Sequence, residues 1–179
     1  TRDWLKENNF ELVDMPKADI PVHVLRFLSI YEYLRKNYQE YDFVITTDVK
    51  DVYFQKDPFE FLKNNIAPGS ITKIICGSEC LRYMDEEWGN QNLMQAYGPY
   101  VHEIFKHKAI MNVGVLGGTS EYIKDLVFNI FINGINRPIP IVDQAVFNVL
   151  LSVQPYKDMV CRTNNWACEA GTVADPSKI

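Results

Sequence analysis

Three compact, apolar, β-branched runs alternate with stretches of helical periodicity along this chain of 179 residues, and that alternation restricts the fold more than any other feature. The runs are Asp42 to Thr47 (DFVITT), Ile71 to Cys76 (ITKIIC) and Ala109 to Leu116 (AIMNVGVL). Each has the length and composition of a buried strand. Between Ile20 and Tyr38 the apolar residues Val24, Leu25, Leu28, Tyr31 and Leu34 recur at helical spacing, and Ile123, Val127, Ile130 and Phe131 do so between Ser120 and Asn133. Asp57-Pro58-Phe59-Glu60 combines a capping residue, a proline at the first helical position and a glutamate three residues after the cap, which predicts a helix start. A last helix is expected from Val142 to Leu151, after Pro138 and Pro140. Phe10 to Val13 reads as a short strand, and the segment from Glu79 to His107 as short helices and loops. Strands alternating with helices imply an α/β layer architecture: one domain over residues 1–179, with a mostly parallel mixed sheet flanked by helices.

A chain with 47% hydrophobic and 13% aromatic residues has enough apolar material for one core of this size. The formal net charge of -5 argues against a surface that tracks a nucleic-acid backbone, so no nucleic-acid partner is expected. No apolar run reaches the roughly 20 residues that span a bilayer, so no membrane segment is expected either. The four cysteines Cys76, Cys80, Cys161 and Cys168 lack the C-x-x-C spacing of a zinc ribbon and read as free thiols of a reducing compartment. The cytoplasm is therefore the expected location, with the Golgi lumen as the alternative for a piece of a longer chain.

The sharpest chemical feature is Thr47-Asp48-Val49-Lys50-Asp51, directly after the first buried strand. Open α/β sheets bind ligands beyond the carboxyl ends of their strands. A tight turn at Val49-Lys50 aims both carboxylates at one hard cation such as Mn²⁺ or Mg²⁺, which takes oxygen ligands and shares them with phosphates. The plainer alternative makes Asp51 a solvated turn residue beside Lys50 or Lys56. Asn112 and Gly114 interrupt the third strand, where a buried amide needs hydrogen-bond partners that a sugar's hydroxyls supply. Gly117-Gly118 reads either as a tight strand-to-helix turn or as a place where backbone approaches a ligand. Asp143 stands where a helix N-cap is expected, with Gln144 beside it.

Taken together, FVITTDVKDVYFQKDPFEF, MNVGVLGG and VDQAVFN resemble, in order and spacing, the metal-motif region, the NxG strand and the DQ helix start of GT-A glycosyltransferases, family 8 and its relatives in particular. The resemblance runs from about Val22 to Leu151. It implies a nucleotide-diphospho-sugar transferase fold of the Rossmann-like GT-A type, whose first strand and phosphate loop would precede Thr1. It also implies a metal-dependent hexosyltransferase, moving a hexose from a UDP-sugar to a hydroxyl of a glycan or other acceptor, with Mn²⁺ or Mg²⁺ on the diphosphate.

Carried over by position, the resemblance makes Asp48 and Asp51 the metal ligands, one residue wider apart than the usual D-x-D. Asp48, Arg26, Asn112, Gly114, Gly117, Gly118 and Gln144 become nucleotide-sugar contacts, and Asp143 the catalytic carboxylate. The metal-binding histidine that many such enzymes carry near the C-terminus has no counterpart, since His23, His102 and His107 all precede the DQ motif. Water or a late acid such as Asp175 then takes its place. The aromatic stretch from Trp88 to Tyr100 is a candidate acceptor groove. Two other classes are compatible with an acidic turn after a strand: a metal-dependent phosphohydrolase or nucleotidyltransferase, and a non-catalytic carbohydrate-binding or scaffold relative of the same fold. The first is weakened because D-V-K-D-V is not the D-x-D-x-T/V of aspartyl-phosphate hydrolases.

Overall fold

The computed structural model describes residues 2–169. Elements follow one another as α1 (Arg2–Glu7), α2 (Val22–Asn37), β1 (Phe43–Thr47), β2 (Val52–Phe54), α3 (Pro58–Asn65), β3 (Ile74–Arg82), α4 (Glu87–Phe105), β4 (Ala109–Thr119), α5 (Ser120–Gly134), α6 (Asp143–Leu150), α7 (Tyr156–Met159), β5 (Val160–Arg162) and β6 (Ala167–Glu169). The expected Phe10–Val13 strand is absent; that segment is irregular, with Phe10 and Val13 more than half exposed. The segment from Glu79 to His107 holds the end of β3 and the 19-residue α4, which is broken at Gly98 (φ 76°) before Pro99. A proline cannot donate to the preceding turn, and a glycine there accepts the positive φ that the break requires.

The main sheet has the order β1-β4-β3-β5, and β2 pairs with β6 in a separate ribbon. β4 runs antiparallel to both β1 and β3, whereas β5 runs parallel to β3. The reversed β4 lies inside the sheet and makes two of the three ladders antiparallel, so the expectation of a mostly parallel sheet is corrected to a mixed one. The α/β class and the mixed sheet flanked by helices stand as expected.

Alternation along the strands explains why the sheet is buried on both faces. Val44, Ile74, Cys76 and Leu116 face a core shared with residues of α2, α4, α5 and α6, such as Phe27, Leu93, Ile130 and Phe147. Their neighbours Phe43, Ile45, Ile75 and Val115 face a smaller core with Leu62 of α3 and Trp166. Full burial of a side chain such as Leu62 or Ile75 contributes about 1.5–3 kcal/mol, which fixes strand register, since a slip of one residue exchanges the two cores. The capping reading of Asp57 is correct: its Oδ1 accepts from the Glu60 N–H at 2.8 Å. Cys76, Cys80 and Cys161 are free thiols, and burial pushes the Cys76 thiol up to about 12.

Gly117 and Gly118 require a correction. They do not end β4 but lie inside it, Gly117 opposite Ile45 and Ile75, Gly118 opposite Val44 and Ile74. A Cβ on Gly117 would press on Leu62 and Trp166, and one on Gly118 on the Lys73 carbonyl. Their smallness serves close packing of the second core and of β3.

Candidate functional site

The β3–β4 ladder opens just where polar residues begin. Cys76 pairs with Leu116, yet the next bridge joins Ser78 to Met111, so residues 112–115 of β4 face a single residue of β3. Buried backbone groups left without a ladder must find other partners. Asn148 of α6 supplies them for Met111, its Oδ1 accepting from the N–H and its Nδ2 donating to the carbonyl, each at 2.8 Å. Asn164 does the same for Ser78, at 2.6 and 2.8 Å. One helical turn before Asn148, Gln144 accepts from the Val113 N–H at 3.3 Å. A polar cavity of about 410 Å³ forms beside this opening, at the carboxyl end of β1.

Arg26, Asp48, Asp51, Asn112, Gly114, Asp143 and Gln144 all line that cavity. Sequence reasoning had placed each of them at a common site. Gly117 and Gly118 do not line it. Asp175 lies outside the described residues. The chain leaves β1 at Thr47, turns over residues 49–51 and enters β2, so Asp48 and Asp51 flank one tight turn, as their spacing predicts. Asp48 is held to the sheet by its N–H, which donates to the Gly114 carbonyl at 2.7 Å. Its carboxylate lies directly against Gly114: a Cβ there would sit 2.7 Å from Asp48 Oδ2 and 2.7 Å from Asn112 Oδ1.

Arg26 lies on the cavity side of α2 and ties two of the predicted carboxylates together. Nη1 donates to Asp48 Oδ1 at 2.5 Å and Nη2 to Asp143 Oδ2 at 2.7 Å. A planar guanidinium has the fork to hold two acids at once. The N-cap reading of Asp143 is therefore wrong: Val142 occupies the cap position and makes no side-chain cap bond, while Asp143, only 4% exposed, spends its carboxylate on Arg26.

Glu79, on β3, was missed. It lines the cavity, and its Oε1 accepts from Asn112 Nδ2 at 3.0 Å and from Gln144 Nε2 at 2.8 Å. The amide partners of Asn112 are thus inside the protein: Glu79 on one side and the Gly114 N–H, at 2.6 Å, on the other. Gln144 is likewise engaged at both ends. Asn112 and Gln144, both lining the cavity, thus also hold Glu79 in place beside it. The available signal was an acid just past an apolar β run, the position that singles out Asp48.

Trp88, near the start of α4 and 49% exposed, also lines the cavity, together with His23 and Lys50. A second, more apolar cavity of about 640 Å³ adjoins it between α2 and β1 and shares Arg26, Asp48, Val113 and Gly114 with it. Among the described residues no group of three or more His, Cys, Asp or Glu side chains is placed to hold a metal ion, and no helix is long and apolar enough to cross a membrane. No family model matches the chain, and no curated protein matches it.

Proposed function

We propose that the chain is a glycosyltransferase domain of the GT-A type, transferring a hexose from a UDP-sugar to an acceptor hydroxyl with a divalent cation, Mn²⁺ or Mg²⁺, on the diphosphate. The observation that carries this reading is the charge of the polar cavity. Among the described residues, Asp48, Asp51, Glu79 and Asp143 line it against Arg26 and Lys50 as fixed cations, so a hard cation with oxygen ligands is favoured there. The donors of Asp48 and Asp51 fit such an ion: both are carboxylates, on either side of one turn, and they leave most of a six-oxygen shell to phosphate and water. Such a cation would supply Lewis-acid stabilisation of the charge that develops on a leaving diphosphate.

The chain's own groups supply the rest. Asp48 and Asp51 would hold such an ion, and Arg26 adds a permanent positive charge to the same cavity. The larger apolar cavity, sharing Asp48 and Arg26 with the polar one, takes the nucleoside. The sugar then lies toward Glu79 and Asp143, the two other carboxylates that line the cavity, where developing positive charge at the anomeric carbon is stabilised by fixed negative groups. Asn112 and Gln144 keep Glu79 in place, so little reorganisation is needed during reaction. Trp88 offers a flat apolar wall at the cavity mouth for the acceptor.

Turnover separates this reading from a phosphohydrolase and from a non-catalytic relative. Incubation with UDP-hexose and a glycan acceptor, with and without Mn²⁺, should yield UDP and a glycosylated acceptor only when the metal is present. Release of UMP and hexose 1-phosphate, with the acceptor unchanged, would favour the hydrolase, and binding without turnover the scaffold.

A further inference from the structure

A third cavity, of about 490 Å³, lies at the other end of α6 and β4 and shares no lining residue with the polar cavity. Lys108, Lys157 and Arg162 converge on it, from the α4–β4 connection, α7 and β5 respectively, and among the described residues no acidic residue lines it. None of these three cations is ion-paired among the described residues. The clustering is local, because the whole chain is acidic, with a net charge of -5.

Other roles account for the cluster only in part. Arg162 Nη2 donates to the Leu151 carbonyl at 2.8 Å and so satisfies the end of α6. The Lys108 ammonium rests over the Phe105 ring, 4.0 Å from its centroid. Neither contact explains why Lys157 stands with them, nor why like charges are gathered around a concave space.

We propose that this cavity is an oxyanion site that binds the phosphoryl group of a small phosphorylated molecule. Two ammonium groups and the outer edge of a guanidinium supply charged donors from different directions, which suits a tetrahedral anion with several acceptor oxygens. Ser152 also lines the cavity, but its hydroxyl donates to the Asn148 carbonyl at 3.1 Å, so the charged groups carry the recognition. The Lys108 ammonium is held below its usual range, first by partial desolvation and then by the neighbouring charges of Arg162 and Lys157. A bound phosphoryl group relieves that repulsion.

The experiment titrates inorganic phosphate, and separately a hexose monophosphate, into the full chain with EDTA present to exclude divalent ions, following backbone amide shifts. The unmodified protein is compared with a Lys108→Gln/Lys157→Gln double variant; both side chains are exposed, so the melting temperature should not change. Saturable shifts around Lys108, Lys157 and Arg162 are expected, with affinity reduced about tenfold or more in the double variant and weakened by added salt. Tighter binding of the ester identifies a phosphorylated metabolite as the ligand, and equal binding identifies free phosphate. Absence of saturable shifts at these residues, or shifts undiminished in the double variant, would overturn the proposal.

Discussion

Arg26 and Asp143 lie 117 positions apart in sequence, yet the guanidinium Nη2 meets the carboxylate Oδ2 at 2.7 Å. The pair joins α2 to the start of α6, and through its other arm Arg26 also reaches Asp48 at the end of β1. Three separate elements thus meet at one cation, which makes the geometry of the cavity depend on charge balance as well as on packing.

Substitution Asp143→Asn tests that dependence. The asparagine keeps the shape but removes the charge opposite Arg26, in a position only 4% exposed. A loss of about 2 kcal/mol is expected, less than for a fully buried pair because Arg26 is partly solvated. Thermal melting should fall by roughly 4–8 °C. An unchanged melting temperature would mean that the ion pair contributes nothing to stability.

Gly114→Ala should injure the site while sparing the core. A methyl at this position would stand 2.7 Å from Asp48 Oδ2 and from Asn112 Oδ1, inside van der Waals contact, so both side chains must move. A displacement of about 1 Å in a positioned group lowers activity on the order of 10²-fold. Metal-dependent UDP affinity should fall together with turnover, and circular dichroism should remain that of the folded chain.

Asn148→Leu probes the opening between β3 and β4 from its buried side. The leucine removes both partners of Met111, whose N–H and carbonyl lose hydrogen bonds of 2.8 Å each. At about 1–3 kcal/mol for each stranded group, urea denaturation should show a loss of roughly 2–5 kcal/mol. The effect should exceed that of a surface change, which usually stays within about 0.5 kcal/mol.

How far the sequence revealed this arrangement depends on the kind of signal each part carries. β1, α2 and α5 announce themselves by periodicity because they bury regular apolar faces, and α3 by a capping pattern that the Asp57–Glu60 bond realises. Of the seven expected residues that line the cavity, Asp48 and Asp51 follow a strand end and Asp143 and Gln144 begin a helix, where ligands gather in α/β sheets. Asn112 and Gly114 were legible as interruptions of a buried strand, and Arg26, inside α2, only through the family resemblance. Glu79 was not, because β3 continues beyond its apolar half through Gly77 and Ser78 into polar residues, and no periodicity survives the broken ladder. Gly117-Gly118 looked like a turn because paired glycines usually mark one; here they answer to Leu62, Trp166 and the Lys73 backbone, contacts that are distant in sequence. β2, β5 and β6 have three residues each, too few to show alternation.

The most direct test of the central claim is calorimetric titration of UDP, with and without Mn²⁺, into the unmodified chain and into the Asp48→Asn and Asp51→Asn variants. Each substitution removes a charged oxygen from the turn, and Asp48→Asn also leaves Arg26 with one carboxylate instead of two. Affinity should depend on Mn²⁺ in the unmodified protein and fall about tenfold or more in each variant, with Mn²⁺ no longer improving it. Equal UDP affinity in all three proteins, whether or not Mn²⁺ is present, would contradict the assignment of this acidic turn to a metal-held nucleotide diphosphate.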